Sequence, residues 1–169
     1  MKIGIIVYSE TGNTLLCAEK IREALTLAGG GEKGKEKGKL EVEVWLERLQ
    51  VTGNPRVEKE ISFPSLPDIS SADALVFASP VHAFSAAPAM KKYLEQLPAD
   101  ALKGKKAACL VTQMFPYAWL SGNRSVGQMA ALSRKKGADM RATAVINWRN
   151  KRRQEMIEEA AARVSRALL

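Results

Sequence analysis

Three short hydroxyl side chains fall within the six residues Ser9-Glu10-Thr11-Gly12-Asn13-Thr14. Such groups can donate to an anion without blocking its approach, and a glycine among them lets the backbone turn tightly and come close. The pattern is that of a phosphate-binding turn. The loop carries neither G-x-G-x-x-G nor G-x-x-x-x-G-K-[ST]. No lysine reaches into it, so one terminal phosphate suits it better than a triphosphate with magnesium. A second cluster, Pro80-Val81-His82-Ala83-Phe84-Ser85, holds the chain's one histidine, readable as a loop residue chosen for shape or as a proton donor. A third, Gln113-Met114-Phe115-Pro116-Tyr117-Ala118-Trp119, places three aromatics within five residues. These can stack on a bound ring or on the protein itself. There is no Ser-His-Asp or Cys-His arrangement for covalent catalysis. Cys17 and Cys109 are too few and too far apart for a metal site or disulfide framework, and read as small buried hydrophobes.

Each cluster is expected where a strand ends. Ile3 to Tyr8 is a continuous apolar run, as for a strand covered on both faces. A helix is expected from Gly12 to Ala28, where Ala18, Ile21, Leu25 and Ala28 recur at helical spacing. Gly29-Gly30-Gly31 ends it, and the Gly/Lys/Glu-rich stretch 29–39 reads as a mobile loop. Leu40 to Leu46 predicts a second strand with Leu40, Val42, Val44 and Leu46 on one face. Residues 48–71, with Pro55, Pro64 and Pro67, predict an irregular connection with at most a short helix. Further strands are expected over Asp73–Ala78, Lys106–Thr112 and Met140–Trp148. Further helices are expected over Ala86–Leu97, Ser125–Lys136 and Lys151–Leu169. The 169 residues fit one domain, residues 1–169. The alternation predicts an α/β fold with a mainly parallel sheet, whose ligands bind at the carboxyl ends of the strands. All three clusters fall on that edge.

Ser9 to Thr14 resembles the [ST]-x-T-G-x-T phosphate loop of the flavodoxin family, and Ala78 to Ser85 resembles the G-[ST]-P-x-[YR]-x-x loop of flavodoxin-like quinone reductases. The resemblance extends over the whole chain. It implies a doubly wound five-stranded parallel sheet of order 2-1-3-4-5 in a three-layer α/β/α fold, with FMN as cofactor. Ser9, Thr11, Gly12, Asn13 and Thr14, with Glu10 in the same loop, would surround the FMN phosphate. Pro80, Val81, His82, Ala83, Phe84 and Ser85 would lie along the isoalloxazine ring. Gln113, Met114, Phe115, Tyr117, Trp119, Gly122 and Asn123 would form the third contact loop, which is longer and more aromatic than the family's usual Gly-rich one. The implied function is electron transfer, or FMN-dependent reduction of a quinone-like acceptor by an NAD(P)H oxidoreductase, with the polypeptide positioning the flavin and tuning its potential.

Formal net charge is +8, and residues 124–169 hold eleven basic and four acidic residues, +7 of that total. Such asymmetry points either to an anionic partner or to a solvated basic face. Arg149, Lys151, Arg152 and Arg153 follow the last strand, and Arg124 begins the preceding helix. A redox partner protein or small acceptor of acidic or anionic character is therefore expected at the cofactor's edge, with oligomeric state open. Nucleic-acid motifs are absent. The alternative is a flavodoxin-like shell without FMN that holds an anionic partner through this basic quarter. No stretch reaches the roughly 18 apolar residues of a membrane span, and the N-terminus lacks the features of a signal peptide, so a cytoplasmic protein is the expectation.

Overall fold

The computed structural model describes residues 1–30, 41–117 and 119–169. The first strand, β1 (Lys2–Val7), is an apolar run because both its faces are covered: Ile3, Ile5 and Val7 enter one core and Ile6 the other. The pattern recurs in β3 (Ala74–His82) and β5 (Lys106–Gln113). Leu75, Phe77, Cys109 and Val111 share the core of Ile6, whereas Ala74, Val76, Ala108 and Leu110 share that of Ile3. With β2 (Glu43–Arg48) and β6 (Asp139–Asn147) they form a parallel sheet of order β2-β1-β3-β5-β6. Helices α1 (Asn13–Ala28) and α4 (Arg153–Leu168) cover one face, and α2 (Pro88–Gln96) and α3 (Gly122–Lys135) the other. The two-residue β4 (Ser85–Ala86) folds back on the end of β3. The five parallel strands thus take the expected doubly wound order, with three layers.

Several boundaries differ from expectation, and strand pairing explains most of them. β3 runs past Ala78 to His82, because Ser79 and Pro80 pair with Val111 and Thr112, and Val81 and His82 with Ala86 and Ser85. Ala86 is therefore strand, and α2 waits until Pro88, where a proline suits the first helical position. The register of β2 is set by β1, from Lys2↔Glu43 to Val7↔Arg48, so it starts after Val42 and outlasts Leu46. α3 starts three residues before Ser125, and α4 two residues after Lys151. The connection after β2 is irregular as expected, with one bridge, Thr52↔Ser62, and a single 3-10 turn at Glu58–Glu60. Gly29 ends α1, while Leu40 and most of the 29–39 loop lie outside the described residues. Cys17 and Cys109 are buried, and burial pushes both thiols up to about 12. Among the described residues no helix is long and apolar enough to cross a membrane.

Candidate functional site

Between β1 and α1 the chain makes its turn with Tyr8 to Gly12. Ser9 is buried, and its Oγ accepts from the N–H groups of Gly12 at 3.2 Å and Leu15 at 3.3 Å, bracing the loop from inside. Arg48, at the end of β2, donates to the Ser9 carbonyl. Gly12 has φ +90°, a left-handed conformation that costs an L side chain about 1 kcal/mol, and the space its Cβ would fill has no atom within 4 Å. α1 has no side-chain cap and no acidic residue in its first turn. The N–H groups of Asn13 and Thr14 therefore remain available at the helix's positive end. Thr14 is buried, with its Oγ1 2.7 Å from Thr112 Oγ1. The carboxylate of this loop, Glu10, is turned to other partners: Tyr8 OH at 2.9 Å, Arg56 Nη2 at 2.9 Å and His82 Nε2 at 3.5 Å. Free donors, open space above Gly12 and an engaged Glu10 fit the phosphate of FMN.

A cleft of about 330 Å³ opens beside this turn. It brings together parts of all three sequence clusters: Glu10, Thr11, Asn13 and Thr14; Pro80, Val81 and His82; Gln113 and Met114. Three further residues line it that were not sequence candidates: Arg56, Thr112 and Trp148. Thr112 and Trp148 end or follow strands at the carboxyl edge, so the rule that located the clusters could have found them. Arg56 comes from the aperiodic connection, which carries no such signal. Trp148 is held firmly: its N–H donates to Gln113 O at 2.8 Å, and the Arg153 guanidinium lies 4.5 Å from its ring centre. Arg153 also donates to the Trp148 carbonyl at 2.7 Å.

His82 closes one wall of the cleft with a side chain only 11% exposed. Its ring meets Tyr8 edge-on at 6.4 Å. Burial lowers its pKa, Arg56 adds to the shift and Glu10 opposes it. Burial and the bond to Glu10 likewise push the Tyr8 hydroxyl up.

The remaining sequence candidates lie outside the cleft lining. Ala83 and Phe84 form the exposed tip of the β3–β4 hairpin, and Ser85 follows in β4. Phe84 stacks on Phe115 at 5.0 Å and Tyr117 on Trp119 at 6.0 Å. These aromatics form two exposed pairs; Trp119 is 70% exposed. Gly122 and Asn123 begin α3 rather than preceding it. Gly122 is a packing seat, since a Cβ there would come within 2.3 Å of Val145 Cγ1 and 2.6 Å of Gln113 Oε1. Gln113 itself organises the third loop: its Oε1 accepts from Ser121 Oγ at 2.9 Å, and its Nε2 donates to Phe115 O at 3.1 Å. The basic residues Arg124, Arg149, Lys151, Arg152 and Arg153 are all exposed; Arg152 pairs with Glu155 at 2.8 Å and Arg153 is engaged with Trp148.

Residues 1–120 match the model of a family described as NADPH-dependent FMN reductase. The flavodoxin, WrbA-like protein from Agrobacterium tumefaciens has a similar structure, with TM-score 0.71 at 12% identity over 99% of this chain and 94% of that one. The two-electron reduced flavodoxin of Megasphaera elsdenii gives TM-score 0.62 at 20% identity, over 95% of this chain and 98% of that one. A flavoprotein from Lactobacillus acidophilus NCFM, solved in complex with FMN, gives TM-score 0.58 at 17% identity, over 95% and 98%. At these identities the structural likeness concerns the fold. Among curated protein sequences none matches the chain.

Proposed function

The chain belongs to the NADPH-dependent FMN reductase family, and on that footing we propose that it oxidises NADPH and reduces a quinone-like acceptor through bound FMN. The observation that carries this reading is the convergence of four strand ends, those of β1, β3, β5 and β6, on one cleft, with a donor-rich, acid-free helix start at its side. Thr11, Asn13 and Thr14 would hold the FMN phosphate, and Pro80 to His82 with Gln113 and Met114 would border its ring. When bound, FMN supplies the two-electron chemistry that links a nicotinamide to an acceptor. The balance is NADPH, one solvent proton and a quinone giving NADP⁺ and a hydroquinone. Thr112 orients Thr14, Ser9 braces the turn, and Arg153 fixes Trp148 against the cleft. The two exposed aromatic pairs offer apolar surface where a planar acceptor could approach.

A second acceptor class, an acidic redox protein, is favoured by the exposed Arg124, Arg149 and Lys151. The test is NADPH oxidation by the FMN-loaded protein, with and without a soluble benzoquinone. Quinone-dependent oxidation is expected. Bound FMN that NADPH cannot reduce would leave an electron carrier instead, and a protein that takes up no FMN would return it to a cofactor-free shell.

A further inference from the structure

The hairpin at the cleft's edge has a turn whose residues do not suit its geometry. Ala83 and Phe84 form a two-residue loop between the paired His82 and Ser85, and both have positive φ, +44° and +64°. A two-residue hairpin turn with positive φ at both central positions favours Asn-Gly. A bulky residue such as phenylalanine rarely enters that region, so the turn must be held from outside.

Helix α3 supplies the hold. Gln128 Oε1 accepts from Ser85 Oγ at 2.8 Å and from the Ala86 N–H at 3.3 Å. Ala86 is fully buried, so its amide has no water to replace that acceptor. The hairpin base is secured separately, since Ala87 N–H donates to Pro80 O at 3.1 Å and lies 3.2 Å from Ser79 Oγ. Gln128 therefore reaches the tip from another element, while the base keeps its own bonds. Beyond the tip, Phe84 rests on Phe115, and Pro80, Val81 and His82 line the cleft. We propose that Gln128 is a positioning residue: by holding Ser85 and Ala86 it keeps the Ala83–Phe84 turn left-handed and so sets the hairpin wall of the FMN cleft before FMN arrives. The inference rests on the reading of that cleft as the FMN site.

Three variants test it against the parent. Gln128→Met keeps the length but loses the acceptor, and Gln128→Glu keeps oxygen acceptors. The third combines Gln128→Met with Ala83→Asn and Phe84→Gly, whose turn needs no outside hold. The one-bond Cα–Hα coupling at residue 83 in the apoprotein distinguishes positive from negative φ, and FMN titration gives affinity. Gln128→Met is expected to lose the positive φ and to bind FMN about tenfold or more weakly, the scale of one or two net hydrogen bonds. The Glu variant and the triple variant should restore both. If Gln128→Met keeps either the positive φ or the parent's affinity, the positioning role is overturned. A parent that takes up no FMN fails the cofactor reading instead, and the apoprotein coupling alone then decides whether Gln128 holds the turn.

Discussion

Thr14 offers the most direct residue-scale test of the proposed phosphate site. It lines the cleft, and its hydroxyl is buried against Thr112 at 2.7 Å. Thr14→Ala should weaken FMN binding by about 1–3 kcal/mol, the cost of losing a hydrogen bond to a charged group, with the fold preserved. Titration of the apoprotein measures this, and unchanged affinity in both Thr11→Ala and Thr14→Ala would move the phosphate away from this turn. His82 makes a different prediction. Burial, reinforced by Arg56 and opposed by Glu10, lowers its pKa below the ordinary 6.5. The unfolded chain then binds the proton more readily than the folded one, so apoprotein stability should fall as pH drops from 6.5 toward the lowered folded value. His82 is the one histidine, so urea unfolding between about pH 5.5 and 7 should show a slope that His82→Gln flattens. The same slope in both proteins would assign it to other groups.

Elements with one or two buried faces were legible from sequence, because burial prints a period. The stripe of Ala18, Ile21 and Leu25 located α1, and the apolar runs of β1, β3 and β5 reflect cores on both sides. What pairing alone decides was not legible. Ser79 to His82 look like loop residues, yet β5 and β4 order them as strand, and an Ala-Phe turn carries no hairpin signature. The candidate site divides the same way. Glu10, Thr11, Asn13 and Thr14 were readable as a hydroxyl-rich turn before a helix, whereas Arg56 arrives from a segment without periodicity. Sequence left open whether Phe115, Tyr117 and Trp119 stack on a bound ring or on the protein: Phe115 meets Phe84, far away along the chain, whereas Tyr117 and Trp119 stack on each other. Gly122 reads as a turn residue and proves to be the seat of α3 on the sheet. Gly122→Ala should destabilise the fold by about 1–3 kcal/mol through overpacking against Val145 and Gln113. Denaturant midpoints measure this, and a neutral substitution would mean that α3 shifts without cost.

Across the whole molecule, the basic excess and the cleft occupy related ground, because the last strand delivers Trp148 to the cleft and Arg149 and Lys151 to solvent. Arg152 and Arg153, though exposed, are engaged with Glu155 and Trp148, so Arg149 and Lys151 are the better probe of docking. Steering by such charges is screened by salt. With an acidic redox partner, association should slow as ionic strength rises, and Arg149→Glu with Lys151→Glu should remove most of that dependence. A rate indifferent to salt and to charge reversal would make the basic quarter a solvated face. The central claim is that the β1–α1 turn holds FMN by its phosphate. Titrating the apoprotein with FMN and with riboflavin, followed by flavin fluorescence, tests it most directly. One FMN should bind per chain, and riboflavin, lacking the phosphate, should bind at least about tenfold more weakly. Equal affinity for the two flavins, or no binding of either, would contradict the account.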